Sequence, residues 1–294
     1  MVTVNIKSYM KKTVAVLMTV FNRKQITIQG LKSLFKAISL TKDLVFDVYL
    51  VDDNSPDGTI EAVKKQFDSI ITIPGTGGLY WGGGMNLAWN TAVKRKKYDY
   101  FLWYNDDNFL FDDSLLSLFK DNEKYGDDCI ISGVFHDKLG NVSYGGKKRD
   151  GSLIDVGSNI NVFYMNGNLV LIPYRIFQKV GFIDSRFVHG IGDYDYGFRA
   201  INNNFLIKLT SKVVGISDRH DQDIPYLDKR KTLFMRMKIL YSPKFNPINT
   251  FYYNKKYFGI RYAIKKFIRK NISAMIPSIV NYRDIINNDI LLPR

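Results

Sequence analysis

The chain has 294 residues, of which 46% are hydrophobic and 14% aromatic, and a formal net charge of +14 at pH 7. This composition supports a substantial buried core and excludes an intrinsically disordered chain. A single cysteine, Cys129, excludes an internal disulfide and suits a reducing compartment, where it is expected to be a small core residue. No apolar run approaches the ~20 residues that a bilayer span needs, so the apolar run at 13–21 is predicted to be a buried strand.

The first 110 residues alternate between β-rich apolar runs and helical patterns. Strands are predicted at 14–19, 46–51, 70–73 and 98–104, and helices at 26–38, 60–67 and 87–93. This alternation predicts an α/β fold with a mostly parallel central sheet flanked by helices. Ligands of such sheets bind beyond the carboxyl ends of the strands. Four polar or glycine-rich segments fall there, at 19–22, 52–53, 75–84 and 106–107.

The remaining pattern is less regular. Turn signals at 133–151 indicate a hairpin, and a strand at 162–172 is interrupted by a polar triplet at 166–168. The sequence also predicts helices at 174–180 and 195–202 and a strand at 205–214.

The positive charge is concentrated at the carboxyl end. Residues 229–294 hold 15 Lys and Arg against 2 Asp, whereas residues 1–228 hold 27 basic and 26 acidic residues. A nucleic-acid enzyme would more often carry this charge around its active site, so nucleic acid is not an expected partner. We therefore divide the chain into a domain at 1–228, with halves at about 13–110 and 111–228, and a basic amphipathic helical region at 229–294. One apolar face of that region is predicted to comprise Tyr257, Ile260, Ile264, Phe267 and Ile268.

Two acidic pairs point to the chemistry. Asp106 and Asp107 follow an apolar strand, and Asp193 and Asp195 precede a helical pattern. Adjacent carboxylates at the end of a buried strand repel each other and lose hydration, which usually implies a bound cation. The second pair could supply a base to a substrate that the cation holds. This arrangement indicates an enzyme that acts on a phosphorylated substrate.

The motifs, taken in chain order over residues 13–220, resemble family 2 glycosyltransferases with the Rossmann-like GT-A fold. The motifs that carry the resemblance are VAVLMTVFNR at 14–23, VDDNSPDG at 51–58, NDDN at 105–108 and DYDYGFR at 193–199. A further segment, LYWGGGMN at 79–86, is similar to a loop of bacterial polysaccharide transferases, including rhamnosyltransferase-like members. The sequence departs from the family at Gly192, where the base motif often has glutamate.

The resemblance implies a metal-dependent, inverting enzyme of the hexosyltransferase class that uses a UDP- or dTDP-sugar. Mn²⁺ or Mg²⁺ would neutralise the donor diphosphate as Lewis acid and template. Asp107 is the expected direct metal ligand, and Asp106 is expected to contact the ribose or a metal-bound water. His220 is a candidate for a further metal ligand.

The donor site is expected to use residues from three segments. Asp53 could accept a hydrogen bond from the imide N–H of uracil or thymine, with Thr19 beside the base and Asp52 as the alternative partner. The turn after the first strand contributes Phe21, Asn22 and Arg23 to nucleotide binding. From the glycine-rich segment, the residues expected to bind the donor are Gly78, Trp81, Gly83 and Asn86.

Inverting transfer needs a base that removes the proton of the acceptor hydroxyl. Asp193 is the first candidate, and Asp195 is the second, although Asp195 could instead pair with Arg199 four residues later on a helix. His189, just before the motif, is a candidate for contact with the acceptor.

The basic tail favours peripheral association with an anionic membrane surface. The expected enzyme is therefore bacterial and cytoplasmic, lies at the inner face of the membrane, and extends a surface polysaccharide on a glycan or lipid-linked glycan acceptor. Two alternatives stay open at this point. One is a nucleotidyltransferase of related α/β fold; the other is a non-enzymatic basic protein that binds membrane or nucleic acid.

Overall fold

The computed structural model describes residues 11–158, 160–219 and 224–279. Its first half alternates strands and helices as the hydrophobic pattern predicts. The elements are β1 Lys12–Val20, α1 Lys24–Leu40, β2 Leu44–Asp52, α2 Thr59–Gln66, β3 Ile70–Pro74, α3 Tyr80–Arg95 and β4 Tyr100–Tyr104.

The second half adds short strands, two elements that the sequence pattern did not predict (α4 and β6), and the carboxyl-terminal helices. The middle elements are β5 Phe109–Leu110, α4 Ser114–Tyr125, β6 Cys129–His136, β7 Val142–Tyr144, β8 Gly146–Lys147, β9 Leu153–Ile154, β10 Tyr164–Met165, β11 Leu169–Pro173, α5 Tyr174–Val180, α6 Gly192–Asn202 and β12 Leu206–Ile216. The last helices are α7 Leu233–Leu240, α8 Pro247–Phe258 and α9 Ile260–Met275, with 3₁₀ turns at Pro225–Leu227 and Pro277–Ile279.

The central sheet has the strand order β3-β2-β1-β4-β11-β6-β12-β5, with β7 paired to β6. Strands β3, β2, β1 and β4 are mutually parallel, and β6 and β12 are parallel to each other. Strand β11 runs antiparallel to both β4 and β6. The expected mostly parallel α/β sheet is therefore confirmed. The carboxyl ends of β1, β2 and β4 lie side by side at one edge.

Alternate residues of each strand build two cores, one on each face of the sheet. Val14, Val16 and Met18 of β1 face α1, α2 and α4, whereas Ala15 and Leu17 face α3, α5 and α6. All five side chains are fully buried. Helices thus cover both faces of the sheet, which leaves the strand ends as the place for a ligand.

The carboxyl-terminal helices pack on this domain through α8. Tyr253 is buried in an aromatic cluster with Tyr164, Phe187 and Phe198 of the domain. The predicted single amphipathic face is interrupted at Gly259, whose φ of 85° separates α8 from α9. Within the described residues, no helix combines the length and apolar character that a membrane span requires.

Candidate active site

A pocket of about 430 Å³ lies at the carboxyl ends of β1, β2 and β4. It brings together nine of the residues that the sequence assigned to a site. These are Thr19, Phe21, Arg23, Asp53, Trp81, Asp106, Asp107, His189 and Asp193. Thr19, Asp53 and Asp107 meet because the parallel strands β1, β2 and β4 end at a common edge.

The acidic pair after β4 is held by one guanidinium. Arg23 donates from Nη1 to Asp106 at 3.1 Å and from Nη2 to Asp107 at 2.9 Å. Asp106 is buried and also accepts a bond from Thr27 Oγ1 at 3.0 Å. Burial raises the pKa of Asp106 to about 6. Arg23 therefore supplies part of the positive charge that two adjacent carboxylates require.

The donor set fits a divalent cation that ligand phosphates help to hold. Mg²⁺ is usually bound by one or two carboxylates together with substrate phosphates, and Asp107 offers a carboxylate at the pocket wall. No cluster of three or more His, Cys, Asp and Glu side chains with metal-ligand geometry occurs among the described residues. His220, the predicted further ligand, lies outside the residues that the structure describes.

Asp53 shapes the loop that enters α3. Its Oδ1 accepts the Gly77 N–H at 2.8 Å, and its Oδ2 accepts those of Leu79 at 2.8 Å and Tyr80 at 3.1 Å. Asp53 also lines the pocket, so a nucleobase would meet a carboxylate that the protein backbone already fixes. Asp52, the alternative, is buried and accepts a hydrogen bond from Ser55 Oγ.

The glycine-rich segment, expected to bind the donor, is partly helical. Its last glycines lie inside α3, and two of them pack closely against neighbouring segments. A Cβ on Gly84 would overlap Thr19 Oγ1, and one on Gly82 would overlap the carbonyl oxygen of Phe187. Gly82 N also donates to the Val188 carbonyl at 2.8 Å. These glycines let α3 approach both walls of the pocket.

Four predicted donor-binding residues do not line the pocket. Asn86 makes two bonds with the backbone of Ile183, donating to its carbonyl at 2.8 Å and accepting its N–H at 3.1 Å. Asn22 is exposed with a φ of 54° and donates its N–H to Ser55 at 2.8 Å. Gly83 packs on Leu79, and a Cβ on Gly78 would face open space. Asn86 and Asn22 thus shape the chain around the site from outside it.

Asp193 lies in the first turn of α6, which begins three residues earlier than predicted. Its carboxylate accepts the Gly167 N–H at 3.0 Å and the Tyr194 N–H at 2.9 Å. Burial raises its pKa. It lines the same pocket as the acidic pair.

Asp195, the second candidate for the base, lies away from the pocket. It is fully buried and accepts bonds from Arg199 Nε at 2.7 Å, Lys256 Nζ at 2.6 Å and Tyr257 OH at 2.7 Å. The predicted i, i+4 pair with Arg199 is present. Three donors already satisfy this carboxylate, so it links α6 to α8 and cannot reach an acceptor.

The sequence did not assign the polar triplet at 166–168 to the site. The Asn168 carbonyl accepts the Asn105 N–H at 3.0 Å and the Asn108 side chain at 2.7 Å, while Gly167 donates to Asp193. The triplet therefore connects the acidic pair to the base. The sequence signal that could have identified the triplet is its polar interruption of an apolar strand, since Asn and Gly are depleted in strands.

The second wall of the pocket contains His189 and Tyr80. Their rings lie 5.8 Å apart, and Nδ1 of His189 is buried without a hydrogen-bond partner among the described residues. Burial lowers the pKa of His189, which favours the neutral ring. Trp81 also lines the pocket and donates from Nε1 to Asn105 at 2.8 Å.

Comparison with protein families finds that residues 15–188 match the model described as Glycosyl transferase family 2. The match begins in β1 and ends just before the segment that carries Asp193. Comparison with curated protein sequences yields no significant match.

Solved structures share the fold at low sequence identity. A mannosyltransferase from Pyrobaculum calidifontis in complex with GDP-Man and Mn²⁺ is 14% identical, with a TM-score of 0.55, and the alignment covers 92% of this chain and 76% of that one. TarS 1-349 from S. aureus in complex with UDP is 15% identical, with a TM-score of 0.54 and coverage of 90% and 81%. The same TarS fragment with UDP-GlcNAc gives 13% identity, a TM-score of 0.52 and coverage of 94% and 78%.

Proposed function

The chain belongs to glycosyl transferase family 2 and is a glycosyltransferase, and from that premise we propose metal-dependent, inverting transfer of a sugar from a UDP- or dTDP-sugar. The observation that carries the proposal is the single pocket that holds Asp53, Asp107 and Asp193 at its walls. Family membership removes the nucleotidyltransferase and the non-enzymatic scaffold as alternatives.

The pocket lining offers separate residues for the donor and for the acceptor. In this proposal Asp53 and Thr19 bind the nucleobase and the acidic pair faces the diphosphate, which their common position in the pocket lining supports. A bound Mn²⁺ or Mg²⁺ would neutralise the diphosphate as a Lewis acid. Arg23 already bridges both carboxylates and would keep them oriented as the donor arrives. Solved structures with this fold were crystallised with UDP, UDP-GlcNAc, or GDP-Man and Mn²⁺, which supports a nucleotide-sugar donor here.

Asp193 is the proposed base. An acceptor hydroxyl oxygen bonds to the anomeric carbon as the bond from that carbon to the diphosphate breaks, and the hydroxyl proton passes to the Asp193 carboxylate. The backbone bonds from Gly167 and Tyr194 fix the carboxylate, while its raised pKa makes it a stronger base than an exposed aspartate. Attack on the face opposite the diphosphate inverts the anomeric configuration.

We propose that the acceptor is a growing bacterial surface polysaccharide, presented as a glycan or a lipid-linked glycan. The excess of positive charge in residues 229–294 supports a cytoplasmic enzyme that lies peripherally at the inner face of the membrane.

A thermal-shift panel of UDP, dTDP, GDP, CDP and ADP, each with Mn²⁺ and with EDTA, tests the donor site. A ligand at ~100 times its Kd stabilises the native state by ~2.7 kcal/mol. We expect a Mn²⁺-dependent shift with UDP or dTDP, lost in Asp107→Ala and kept in the surface control Asp112→Ala. Shifts that EDTA leaves unchanged would remove the metal assignment, and a shift with GDP alone would replace the proposed nucleotide.

A further inference from the structure

Helix α9 carries a line of exposed aliphatic side chains. Ile260, Ile264, Ile268 and Ile272 follow one another at intervals of four residues and are 47%, 46%, 51% and 41% exposed. Met275 extends the line at 50% exposure. We call the four isoleucines the isoleucine face. Side chains four apart lie on the same side of a helix, and contiguous exposed apolar surface marks an interaction site.

A different side of α9 already holds the helix on the protein. Ala263 and Ala274 are buried, and the Phe267 ring meets that of Phe251 on α8 at 5.9 Å. Arg236 of α7 donates to the Ala274 carbonyl at 2.7 Å. Residues outside the isoleucine face therefore fix the position of α9.

The charge around the isoleucine face has one sign. Residues 229–275 contain 13 Lys and Arg and no Asp or Glu. Arg261 and Lys265 are exposed on α9, each one residue after an isoleucine of the face. A helix with an apolar side beside a basic side lies in the headgroup region of an anionic bilayer, where each basic residue contributes ~1 kcal/mol.

The same helices support the acceptor side of the pocket. The Arg186 guanidinium lies over the Tyr252 ring of α8 at 5.8 Å, and the Phe187 ring meets that of Tyr253 at 6.3 Å. The chain then continues directly to His189 and Gly190 at the pocket wall. A surface that holds α8 and α9 would thus hold this wall as well.

We propose that the isoleucine face of α9, together with Arg261 and Lys265, docks on an anionic phospholipid bilayer and so presents the pocket to a lipid-linked acceptor. The docking itself does not depend on the proposed transfer reaction, whereas the nature of the acceptor does rest on it.

Flotation with vesicles of phosphatidylglycerol and phosphatidylcholine, or of phosphatidylcholine alone, tests the docking with the full chain. We expect binding to the anionic vesicles only. Ile264→Ser/Ile268→Ser should weaken it at least tenfold, and Arg261→Gln/Lys265→Gln should weaken it about 30-fold, the equivalent of ~1 kcal/mol for each charge. The matched control Leu116→Ser/Leu206→Ser removes exposed leucines elsewhere and should bind as the parent does. Equal binding by parent and isoleucine variant would overturn the proposal.

A fluorescent label distinguishes lipid from protein as the occupant of the face. Cys129 is fully buried, so Ile268→Cys provides a single accessible thiol for an environment-sensitive dye. The emission should shift to the blue only when anionic vesicles are added. A blue-shifted emission in the protein alone would show that another part of this chain, or a second copy, covers the face, and would contradict the proposal.

The nucleotide panel on the same variants separates the two proposals. We expect the isoleucine and charge variants to keep the parent thermal shift with nucleotide and Mn²⁺, because neither set lies in the pocket. Lost vesicle binding with an intact nucleotide shift supports the docking surface. Intact vesicle binding without any nucleotide shift in the parent would instead contradict the proposed donor, and leave the docking surface standing.

Discussion

The nucleotide-side half of the sheet and the carboxyl-terminal helices contribute to the site in different ways: the first supplies pocket-lining residues, whereas the second packs on α6, the helix that carries Asp193. In β1, β2 and β4 the site residues lie at or shortly after the carboxyl ends of the strands, so parallel pairing alone gathers Thr19, Asp53 and Asp107. Helix α8 contacts α6, which lies about 60 residues earlier in the chain, and no local sequence pattern predicts these contacts. A site at the ends of parallel strands can therefore be predicted from the sequence, whereas contacts made by the docking of a helix cannot.

The basic carboxyl-terminal region is packed against the domain. Its sequence indicated a region separate from the domain, yet Lys256 and Tyr257 bind Asp195 on the helix that carries Asp193. The Tyr257 ring also stacks on Phe198 at 4.8 Å. Deleting the tail would therefore disturb the base helix as well as any membrane contact, so single substitutions are the better test of each region.

The largest expected effect is on the base. Asp193→Asn should lower kcat by ~10²–10⁴-fold while the nucleotide shift persists, because a neutral amide cannot take the acceptor proton. Transfer assays with single-turnover conditions measure the effect, and the thermal midpoint serves as the folding control. Near-normal turnover would show that Asp193 is not the base and that the base lies outside α6.

The next effect concerns the link between the two regions. Asp195→Ala removes a fully buried carboxylate and leaves Lys256 and Arg199 without their partner. Breaking a buried ion pair in this way costs about 3–5 kcal/mol, although partial exposure of Lys256 should place the loss near the lower figure. Urea denaturation measures it. A loss below about 1 kcal/mol would mean that α8 is held by its aromatic contacts alone.

Close packing in the first region gives a smaller effect. An ordinary helical Gly→Ala change stabilises by about 0.5–1 kcal/mol, but Gly84→Ala should destabilise by about 1–3 kcal/mol because its Cβ would overlap Thr19. Gly78→Ala, where the new Cβ faces open space, is the matched control and should be close to neutral. If both variants unfold at the parent urea concentration, α3 does not depend on its close approach to β1.

Removal of the Tyr257 hydroxyl is a smaller change in the link between the two regions. Tyr257→Phe removes one bond to Asp195 and keeps the ring that stacks on Phe198. The expected loss is about 1 kcal/mol in the free energy of unfolding, since Lys256 and Arg199 still satisfy the carboxylate. Tyr257→Leu, which loses the ring too, should cost more. Equal stability of the two variants would assign no role to the stacked ring.

The smallest effect is a displacement of the pH profile. Burial raises the pKa of Asp193 above the ordinary aspartate value of 3.8. A base acts when deprotonated, so activity should be present above the raised pKa and fall as pH decreases through it. The acid limb of kcat/KM should therefore lie above pH 3.8. A profile that stays flat down to pH 4, with the protein still folded, would contradict the raised pKa.

Sequence patterns determined the alternation of strands and helices in the first half, its parallel pairing and the two acidic motifs, because periodicity and strand-end chemistry are local properties. They also predicted the Asp195–Arg199 pair, which lies one helical turn apart. They missed α4, which packs on one face of the sheet, and β6, a buried strand between β11 and β12.

Only the tertiary structure decided what each candidate does. It placed Asp195 in the link to α8, gave Gly82 and Gly84 a packing role, and joined Gly167 to Asp193. Among the described residues, it also left the isoleucine face of α9 exposed while burying the adjacent side of the same helix. A repeating pattern specifies that a side chain is apolar or charged; its partner depends on which distant segments the folded chain brings within a few ångströms.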